Sequence, residues 1–349
     1  MPLTPELTKL ISGEVADDES TLRAFSTDAS AFRIKPAVVA FPKNVADVKA
    51  LVSYVAARKQ KDKKLSLTPR SAGTCMTGGP LNESIIVDIN KHLTAIKGFG
   101  RDWVVAEPGI FYRDLENETL KHGLIFPSYP ASKSLASLGG IVANNAGGEE
   151  TLRFGKTEDY VRELNVVLAD ANEYAFHKLT LPQLKVKLAL KTFEGEVYRA
   201  MHALVMKNYD LIMAARPKVS KNSTGYLLWK IFDKAKNTFD LSQIFVGSQG
   251  TLGIITQIKL GLVHKEKHNR MLVVYMPNLD GLGEIVNTIL GFKPTDLELY
   301  DDKTLKLAIK YAVQIAELIG KDVNILKFGW AMVPDFLIMA RMMGLPKLV

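Results

Sequence analysis

Two glycine-rich stretches constrain this chain more than any other feature of its sequence. One covers residues 69–79, PRSAGTCMTGG, and the other covers residues 139–148, GGIVANNAGG. Neither has the glycine spacing of a Rossmann turn or a P-loop, so those two nucleotide sites are not indicated. Glycines still allow close backbone approach and positive φ, and successive free amides can bind phosphate. Two such loops predict an elongated ligand, such as a dinucleotide, held along its length.

The composition is that of an ordinary globular protein with room for two domains. The chain has 349 residues, and its 47% hydrophobic and 23% charged content excludes a disordered class. A basic run at residues 58–64 accounts for part of the net charge of +8. No aromatic residues interleave with these charges, so we interpret the run as a solvated helix end rather than a nucleic-acid or membrane patch. We therefore predict no nucleic-acid partner.

Cysteine and histidine usage argues against disulfides and metal sites. Cys75 is the only cysteine, which excludes an intramolecular disulfide and fits a reducing compartment. His264 and His268 form only a weak pair, so no metal is predicted. Neither a signal peptide nor a spanning apolar stretch is visible, and we expect a cytoplasmic protein, with peripheral membrane attachment left open.

Strand and helix patterns alternate along the chain. Asn44 is placed to cap a helix over residues 45–60, which follows an apolar strand at 37–41. The other predicted helices are residues 1–25, 112–122, 181–215 and 277–290. The other predicted strands are residues 65–68, 84–89, 103–107, 161–168, 173–176, 244–246, 253–262, 271–275 and 296–300. This rhythm predicts a first lobe of mixed helices and strands, then a second lobe with an inserted helical arm.

Four ordered motifs resemble those of a known family. They lie at residues 26–33, 69–79, 139–161 and 247–256. Together they resemble the FAD-linked oxidases of the vanillyl-alcohol-oxidase or PCMH type, in the branch that contains glycolate oxidase and D-lactate dehydrogenase. The resemblance covers roughly residues 20–310 and implies FAD as cofactor.

The resemblance implies an α+β fold with a two-lobed PCMH-type FAD-binding domain and an incomplete α/β cap domain. The expected divisions are a helical lead-in at 1–30, the FAD-binding domain at 31–265 and a partial cap at 266–349. Within the FAD-binding domain, we expect the first lobe at 31–125 and the second lobe at 126–265, with the helical insertion at about 181–215.

The loops would grip FAD through backbone amides and small residues. Amides of the first loop would surround the pyrophosphate without needing a lysine, and small residues of the second would allow close contact with the flavin ring. The residues expected to bind FAD are Arg70, Ser71, Ala72, Gly73, Thr74, Gly78, Gly79, Ser132, Gly139, Gly140, Ala143, Asn145, Ala146, Gly147, Gly148, Gly250, Thr251, Gly253 and Ile254.

The flavin is expected to be non-covalent. Covalent attachment in this superfamily often uses a histidine of the first loop, and the matching positions here hold Ser71 to Thr74. Cys75 could serve as a thioether anchor, but we favour a small loop residue at this position.

Catalytic residues stay unassigned, with two candidates. Lys221 begins a KNSTGY element similar to one that lies near the flavin in this branch, where a lysine would favour negative charge on the reduced flavin or a substrate carboxylate. The alternative is a surface lysine at a turn. Arg33 could face the active site or form a structural ion pair.

The family's cap carries an HxGDGNxH-like motif that this chain lacks. We therefore expect a truncated or split protein, in which Met332, Met339, Met342 and Met343 would pack on the absent half. A second polypeptide could complete the cap.

The resemblance implies oxidation of a 2-hydroxy acid such as D-lactate or glycolate. A base would remove the hydroxyl proton while hydride passes from the α-carbon to flavin N5, and electrons would leave to an acceptor other than NAD. The alternatives are a non-catalytic FAD-binding subunit of a heteromer, a basic interaction module without flavin, and a related reductase or aryl-ether oxidase.

Overall fold

The structure is a computed structural model that describes residues 3–219, 221–266 and 268–311. The chain divides into two compact units, Met1–Lys267 and His268–Val349. The first unit carries both large sheets of the described residues. The predicted methionine cluster at 332–343 lies outside the described residues.

A four-stranded sheet forms the first part of the larger unit. Its order is β1-β2-β4-β3, with β2, β4 and β3 parallel and β1 antiparallel at the edge. The strands are β1 (Glu14–Ala16), β2 (Val38–Phe41), β3 (Leu67–Arg70) and β4 (Ile85–Asp88). The helices of this part are α1 (Leu3–Leu10), α2 (Glu19–Ala24) and α3 (Val45–Arg58).

Helix α3 covers this sheet through one apolar face. The predicted cap is confirmed, because the Asn44 side chain accepts a hydrogen bond from the Asp47 amide at 3.0 Å. Val48 and Leu51 are fully buried and pack with Ile85 of β4. Burying each such side chain contributes roughly 1.5–3 kcal/mol, which holds helix and sheet together.

A seven-stranded antiparallel sheet forms the second part. Its order is β10-β11-β9-β8-β12-β6-β5. The strands are β5 (Ile96–Phe99), β6 (Trp103–Ala106), β8 (Val161–Val167), β9 (Glu173–Thr180), β10 (Phe232–Asp233), β11 (Thr238–Asp240) and β12 (Ile254–Gly261). Strands β5 and β6 fall within the predicted first lobe, yet they pair with this sheet.

Helices and short connections complete the larger unit. The helical arm predicted at 181–215 consists of α7 (Leu181–Ala189), α8 (Phe193–Lys207) and α9 (Tyr209–Ala214). The remaining helices are α4 (Tyr112–Leu120), α5 (Leu138–Ala143), α6 (Thr151–Phe154) and α10 (Ser242–Phe245). Single 3₁₀ turns lie at Thr157–Asp159 and Leu228–Lys230, and β7 (Leu124–Ile125) pairs with β13 (Val263–His264).

Two sequence-based predictions in the larger unit are wrong. The helix predicted over residues 1–25 is broken into α1, β1 and α2, because Gly13 lies against β2, where an added Cβ would be 2.0 Å from the Phe41 carbonyl oxygen. The strand predicted at 244–246 is the end of α10. Asp240 accepts hydrogen bonds from the Ser242 amide and hydroxyl and so starts the helix. A short buried apolar run does not by itself distinguish helix from strand.

The smaller unit contains two helices in its described residues, α11 (Leu282–Gly291) and α12 (Asp302–Lys310). The strands predicted at 271–275 and 296–300 have no regular secondary structure. Among the residues that the structure describes, no helix combines the length and the apolar character needed to cross a membrane.

The Asp47 carboxylate on α3 joins two backbone segments of the first part through hydrogen bonds. It is 5% exposed and accepts hydrogen bonds from the amides of Ser12, Gly13 and Lys43 at 2.8–2.9 Å. Burial alone would raise the pKa of this carboxyl, but the hydrogen bonds outweigh burial and lower it below the ordinary value.

We predict that Asp47→Ala lowers the free energy of unfolding by about 2–4 kcal/mol, because it leaves buried amides without an acceptor. The lowered pKa means that Asp47 stabilises the wild type above pH about 4, and that this stability is lost as the pH falls through the folded-state pKa. Urea unfolding at several pH values measures both effects. The exposed Asp210→Ala variant is the control; equal losses in the two variants would contradict the prediction.

Candidate functional site

Three chain segments converge on a cavity of about 360 Å³ in the larger unit. They are the loop after β3, the segment leading into and through α5, and the turn before β12. These segments include residues of the predicted motifs at 69–79, 139–161 and 247–256, which therefore lie around one cavity. The volume falls within the range of small-molecule sites.

The loop after β3 presents unpaired backbone donors. The amides of residues 72–76 donate to no protein acceptor among the described residues. Gly73 has φ +69°, a conformation that favours glycine, and an added Cβ would lie 2.5 Å from Nη2 of Arg70. Successive free amides around a left-handed residue form a concave site suited to phosphate oxygens.

Among the residues that the structure describes, Arg70 is the only charged residue in the cavity lining, and no carboxylate lines the cavity. Its guanidinium donates to the carbonyl oxygens of Phe25 (3.3 Å) and Thr27 (2.8 Å) and lies over the Phe25 ring. Burial lowers its pKa, while the nearby carboxylates of Asp28 and Asp88 raise it. Arg70 therefore ties the 26–33 motif to the loop and gives the cavity a positive charge.

The second glycine motif begins as a helix rather than a loop, since Gly139 and Gly140 belong to α5. The Gly139 amide donates to the Pro108 carbonyl oxygen at 2.7 Å, and an added Cβ would meet the Pro108 ring at the same distance. The Gly140 amide donates to Ser71 Oγ at 3.0 Å, and Ser71 Oγ also bonds Ser137 Oγ. These contacts bring α5 against the first loop.

The turn before β12 closes the cavity. Amides of Gly247 and Gln249 donate to the carbonyl oxygens of Val142 and Ala143 at 3.0 and 2.9 Å. Gly250 has φ +76°, and an added Cβ would lie 2.7 Å from Pro69 Cγ. This turn therefore contacts both α5 and the strand that leads into the first loop.

The lining suits a flavin nucleotide. Free amides and one guanidinium meet the needs of a dianionic pyrophosphate, and the absence of carboxylates from the lining avoids repulsion. The small and aliphatic residues on the other walls leave room for flat ring contacts. The aliphatic and small apolar lining residues are Ile89, Ala136, Ile141, Ala143, Ala146, Ile254 and Ile255.

Most of the predicted FAD-binding residues line this cavity. They are Arg70, Ser71, Ala72, Gly73, Thr74, Gly79, Ser132, Gly139, Gly140, Ala143, Ala146, Gly250, Gly253 and Ile254. Their contact with FAD stays a prediction.

Five predicted residues lie outside the lining and hold the segments in place. The Gly78 backbone lies against the Phe32 ring, and Gly148 lies against the Tyr129 carbonyl. Gly147 packs beside Thr151, whose hydroxyl accepts from the Gly148 amide at 2.7 Å. Thr251 donates to the Ser248 carbonyl oxygen at 2.6 Å.

Asn145 is the fifth of these residues and is 1% exposed with φ +47°. Its side chain bonds the Glu158 side chain and accepts from the Glu158 amide at 3.1 Å. Glu158 in turn pairs with Lys230 at 2.9 Å, and Lys230 also pairs with Asp159. Burial acts to lower the pKa of Lys230, but bonds to both carboxylates raise it above its ordinary value. Asn145 thus fixes the end of α5 to a partly exposed ion-pair network.

Other lining residues were not predicted. They are Pro69, Cys75, Met76, Thr77, Pro80, Ile89, Pro108, Pro130, Ala136, Ser137, Ile141, Asn144, Ser248, Gln249 and Ile255. Most lie within the predicted motifs at 69–79, 139–161 and 247–256, so treating every residue of each motif as a candidate could have found them. Ile89 and Pro108 lie outside any motif, and no sequence signal marks them.

The two catalytic candidates, Arg33 and Lys221, are both exposed, and neither lines the cavity. Lys156 was not singled out, although it lies within the third of four predicted motifs. It is 6% exposed, and its ammonium donates to the Asn222 carbonyl oxygen and to Ser223 Oγ. Burial lowers the pKa of the Lys156 ammonium. Attraction to Glu158 acts to raise this pKa, and repulsion from Lys221 acts to lower it further. Lys156 therefore joins the 139–161 motif to the KNSTGY element.

Within residues 3–219, 221–266 and 268–311, no three histidine, cysteine, aspartate or glutamate side chains are grouped to hold a metal ion. His264 and His268 are separated by the division between the two units.

Comparison with known proteins identifies the cofactor domain. Residues 36–174 match the family model described as an FAD binding domain. Among solved structures, an alkyldihydroxyacetonephosphate synthase matches 97% of this chain and 53% of its own chain, with a TM-score of 0.63 and 16% identity. The predicted α+β fold of the PCMH-type FAD-binding domain and the predicted FAD cofactor are confirmed.

Curated relatives include several dehydrogenases. The chain is 30% identical over 313 residues to D-2-hydroxyglutarate dehydrogenase of Escherichia coli K12, covering 88% of this chain and 30% of that protein. It is 27% identical to glycolate oxidase subunit GlcD of Bacillus subtilis, covering 88% and 55%. It is 24% identical to a D-lactate dehydrogenase of Archaeoglobus fulgidus, covering 78% and 49%. The chain thus spans roughly a third to a half of the length of these relatives.

We predict that Gly250→Ala lowers the free energy of unfolding by about 1–3 kcal/mol and weakens FAD binding, because a Cβ strains the left-handed backbone and pushes against Pro69. Gly123→Ala is the matched control, since Gly123 has φ +68° but open space around it. Thermal unfolding and FAD titration compare the two variants. Equal FAD affinity in both would argue against a role of this close contact in the site.

Proposed function

We propose that this chain, which carries the FAD binding domain of flavin-dependent oxidoreductases, is the flavin-binding part of an enzyme that dehydrogenates a 2-hydroxy acid. The proposal rests on the cavity, whose described residues provide free amides at 72–76 and one charge, Arg70, with no carboxylate. The relatives suggest the substrate class, because each is named for a 2-hydroxy acid: D-2-hydroxyglutarate, glycolate or D-lactate.

The chain's own residues would bind and orient the cofactor. Amides 72–76 would hold the pyrophosphate, with the small residues of α5 and Ile254 against the remainder of the nucleotide. Bound FAD supplies acceptance of the hydride and electrons of the oxidation. Walls formed by Pro108, Ile141 and Ile255 would exclude water from the bound nucleotide.

The flavin is proposed to be non-covalent. The loop at 69–79 contains no histidine, and Cys75 Sγ lies 3.0 Å from Thr77 Oγ1, in a local hydrogen bond. This local partner favours the role of Cys75 as a small loop residue.

Lys221 is proposed to attract the substrate carboxylate. It is exposed, and it lies close enough to the buried Lys156 to lower the pKa of that ammonium. Two neighbouring cations on the KNSTGY element and the 139–161 motif would favour a carboxylate over a neutral alcohol. Arg33, exposed and without an ion pair among the described residues, is the second candidate for this role.

A non-catalytic FAD-binding subunit is the second candidate function. The name of one relative, a glycolate oxidase subunit, favours it, as does the exposure of both catalytic candidates. Co-purification with a second polypeptide that restores dehydrogenase activity would support this candidate over the first.

We predict that the purified protein is yellow or takes up added FAD, with flavin absorption bands, and that denaturation releases all of the flavin. An absorption spectrum before and after acid precipitation measures this. Colour retained on the precipitated chain would contradict non-covalent binding, and no uptake at all would contradict the flavin proposal.

We predict that Ala72→Asp weakens FAD binding at least tenfold, because a carboxylate placed among the free amides repels the pyrophosphate and competes for its donors. Ala57→Asp, at an exposed position of α3, makes the same change away from the cavity. Flavin fluorescence titration gives both affinities, and the proposal fails if the two variants bind FAD alike.

For the reaction, D-2-hydroxyglutarate, D-lactate and glycolate are offered to the FAD-loaded protein with a dye acceptor. Where turnover occurs, we expect Lys221→Gln to raise KM about tenfold with a smaller change in kcat, since a lost carboxylate contact weakens substrate binding. Dye reduction is measured against Lys185→Gln as the control. An unchanged KM in Lys221→Gln would remove Lys221 from the substrate site.

A further inference from the structure

A second cavity of about 1010 Å³ lies in the larger unit, at the end of the seven-stranded sheet that carries β9, β10 and β11. Among the described residues, its lining shares none with the first cavity, which is proposed to bind FAD and is called the FAD cavity below. Its cationic lining residues are Arg162, Lys178, Arg216, Lys230, Lys234 and Lys236, and its acidic lining residues are Glu158, Asp159, Asp233 and Asp240.

Half of these cations are already paired. Lys230 bonds Glu158 and Asp159, and Arg162 forms two bonds to Asp102 at 2.6 and 3.0 Å. Lys236 lies 3.9 Å from Asp233.

Three cations remain without a carboxylate within 4 Å among the described residues. They are Lys178 on β9, Arg216 after α9 and Lys234 in the turn after β10. Because they border one concavity, their fields add, and six cations outnumber the four carboxylates of the lining.

Aromatic side chains form part of the cavity wall. The rings of Tyr209 and Phe232 meet edge to face with centroids 5.8 Å apart, and Trp229 lies beside them in the lining. The Lys234 ammonium is 5.9 Å from the Tyr209 ring centre. The half-buried rings form part of the cavity wall, and the three cations lie exposed at its border.

We propose that this cavity binds a small polyanion, a metabolite with two or more phosphate or carboxylate groups. Three cations without a carboxylate within 4 Å supply the attraction, although Lys178 lies opposite Asp240 across the β9–β11 pair and attracts its carboxylate. Separate charges around a concavity favour a ligand with several anionic groups over a single chloride. The volume matches the upper range of small-molecule pockets, whereas a protein partner would need a contact area of about 800 Å² on each side. The proposal does not depend on the dehydrogenase activity.

The test measures binding of inorganic pyrophosphate and of citrate to the full chain by calorimetry, with FAD in saturating excess so that the FAD cavity is filled. The variant K178Q/R216Q/K234Q removes the three unpaired charges. The control variant K185Q/K191Q/K207Q removes three exposed charges from the helical arm, outside the cavity. Both variants have the same net charge.

We expect wild type and control to bind at least one probe alike, with K178Q/R216Q/K234Q weakened at least tenfold. Binding of pyrophosphate alone would assign phosphate groups to the ligand, and binding of citrate alone would assign carboxylates. The proposal is overturned if neither probe binds, or if both variants weaken equally, which is the result of diffuse surface attraction.

A replacement variant and a polymeric anion complete the test. If the triple variant does not fold, as judged by circular dichroism, the single K234Q variant replaces it, because Lys234 lies in an exposed turn. Polyglutamate is tested alongside, and its binding in the absence of binding by either small probe would overturn the proposal in favour of an acidic polypeptide.

Discussion

The close approach of the first loop to helix α5 is the contact on which the rest of the site depends. Ser71 Oγ accepts from the Gly140 amide at 3.0 Å and bonds Ser137 Oγ, so a residue after β3 is fixed to the first turn of α5. An added Cβ on Gly140 would lie 3.0 Å from Ser71 Cβ. Gly140 therefore allows α5 to lie close to the loop after β3. Residues of both segments line the cavity.

The amides of the site are available because other groups hold its loops. The Arg70 guanidinium donates to the carbonyl oxygens of Phe25 and Thr27. Asn145 forms hydrogen bonds with Glu158, and Gly250 packs against Pro69. Each of these contacts leaves the amides of residues 72–76 without an acceptor in the part of the protein that the structure describes. A loop held in this way loses little conformational entropy when a phosphate arrives, which is the physical advantage of a preorganised site.

The two cavities of the larger unit differ in electrostatic design. The cavity proposed to bind FAD uses backbone donors and one buried arginine, so its attraction for anions depends on the geometry of these donors. The second cavity uses exposed side-chain cations, whose attraction reaches further and is screened by salt. Lys230 and Glu158 line the second cavity, and Glu158 contacts Asn145 beside the first cavity.

The sequence by itself determined the glycine motifs, the α3 cap at Asn44 and most strands of both sheets, because each depends on residues close together in the chain. Fourteen of the nineteen predicted FAD-binding residues line the cavity, since loop amides and small residues are visible as local patterns. Only the tertiary structure decided that Ile89 and Pro108 reach the same cavity, that residues 244–246 end a helix, and that Lys156 is buried against Asn222 and Ser223. These outcomes depend on contacts between distant segments, whose packing and desolvation override local preference.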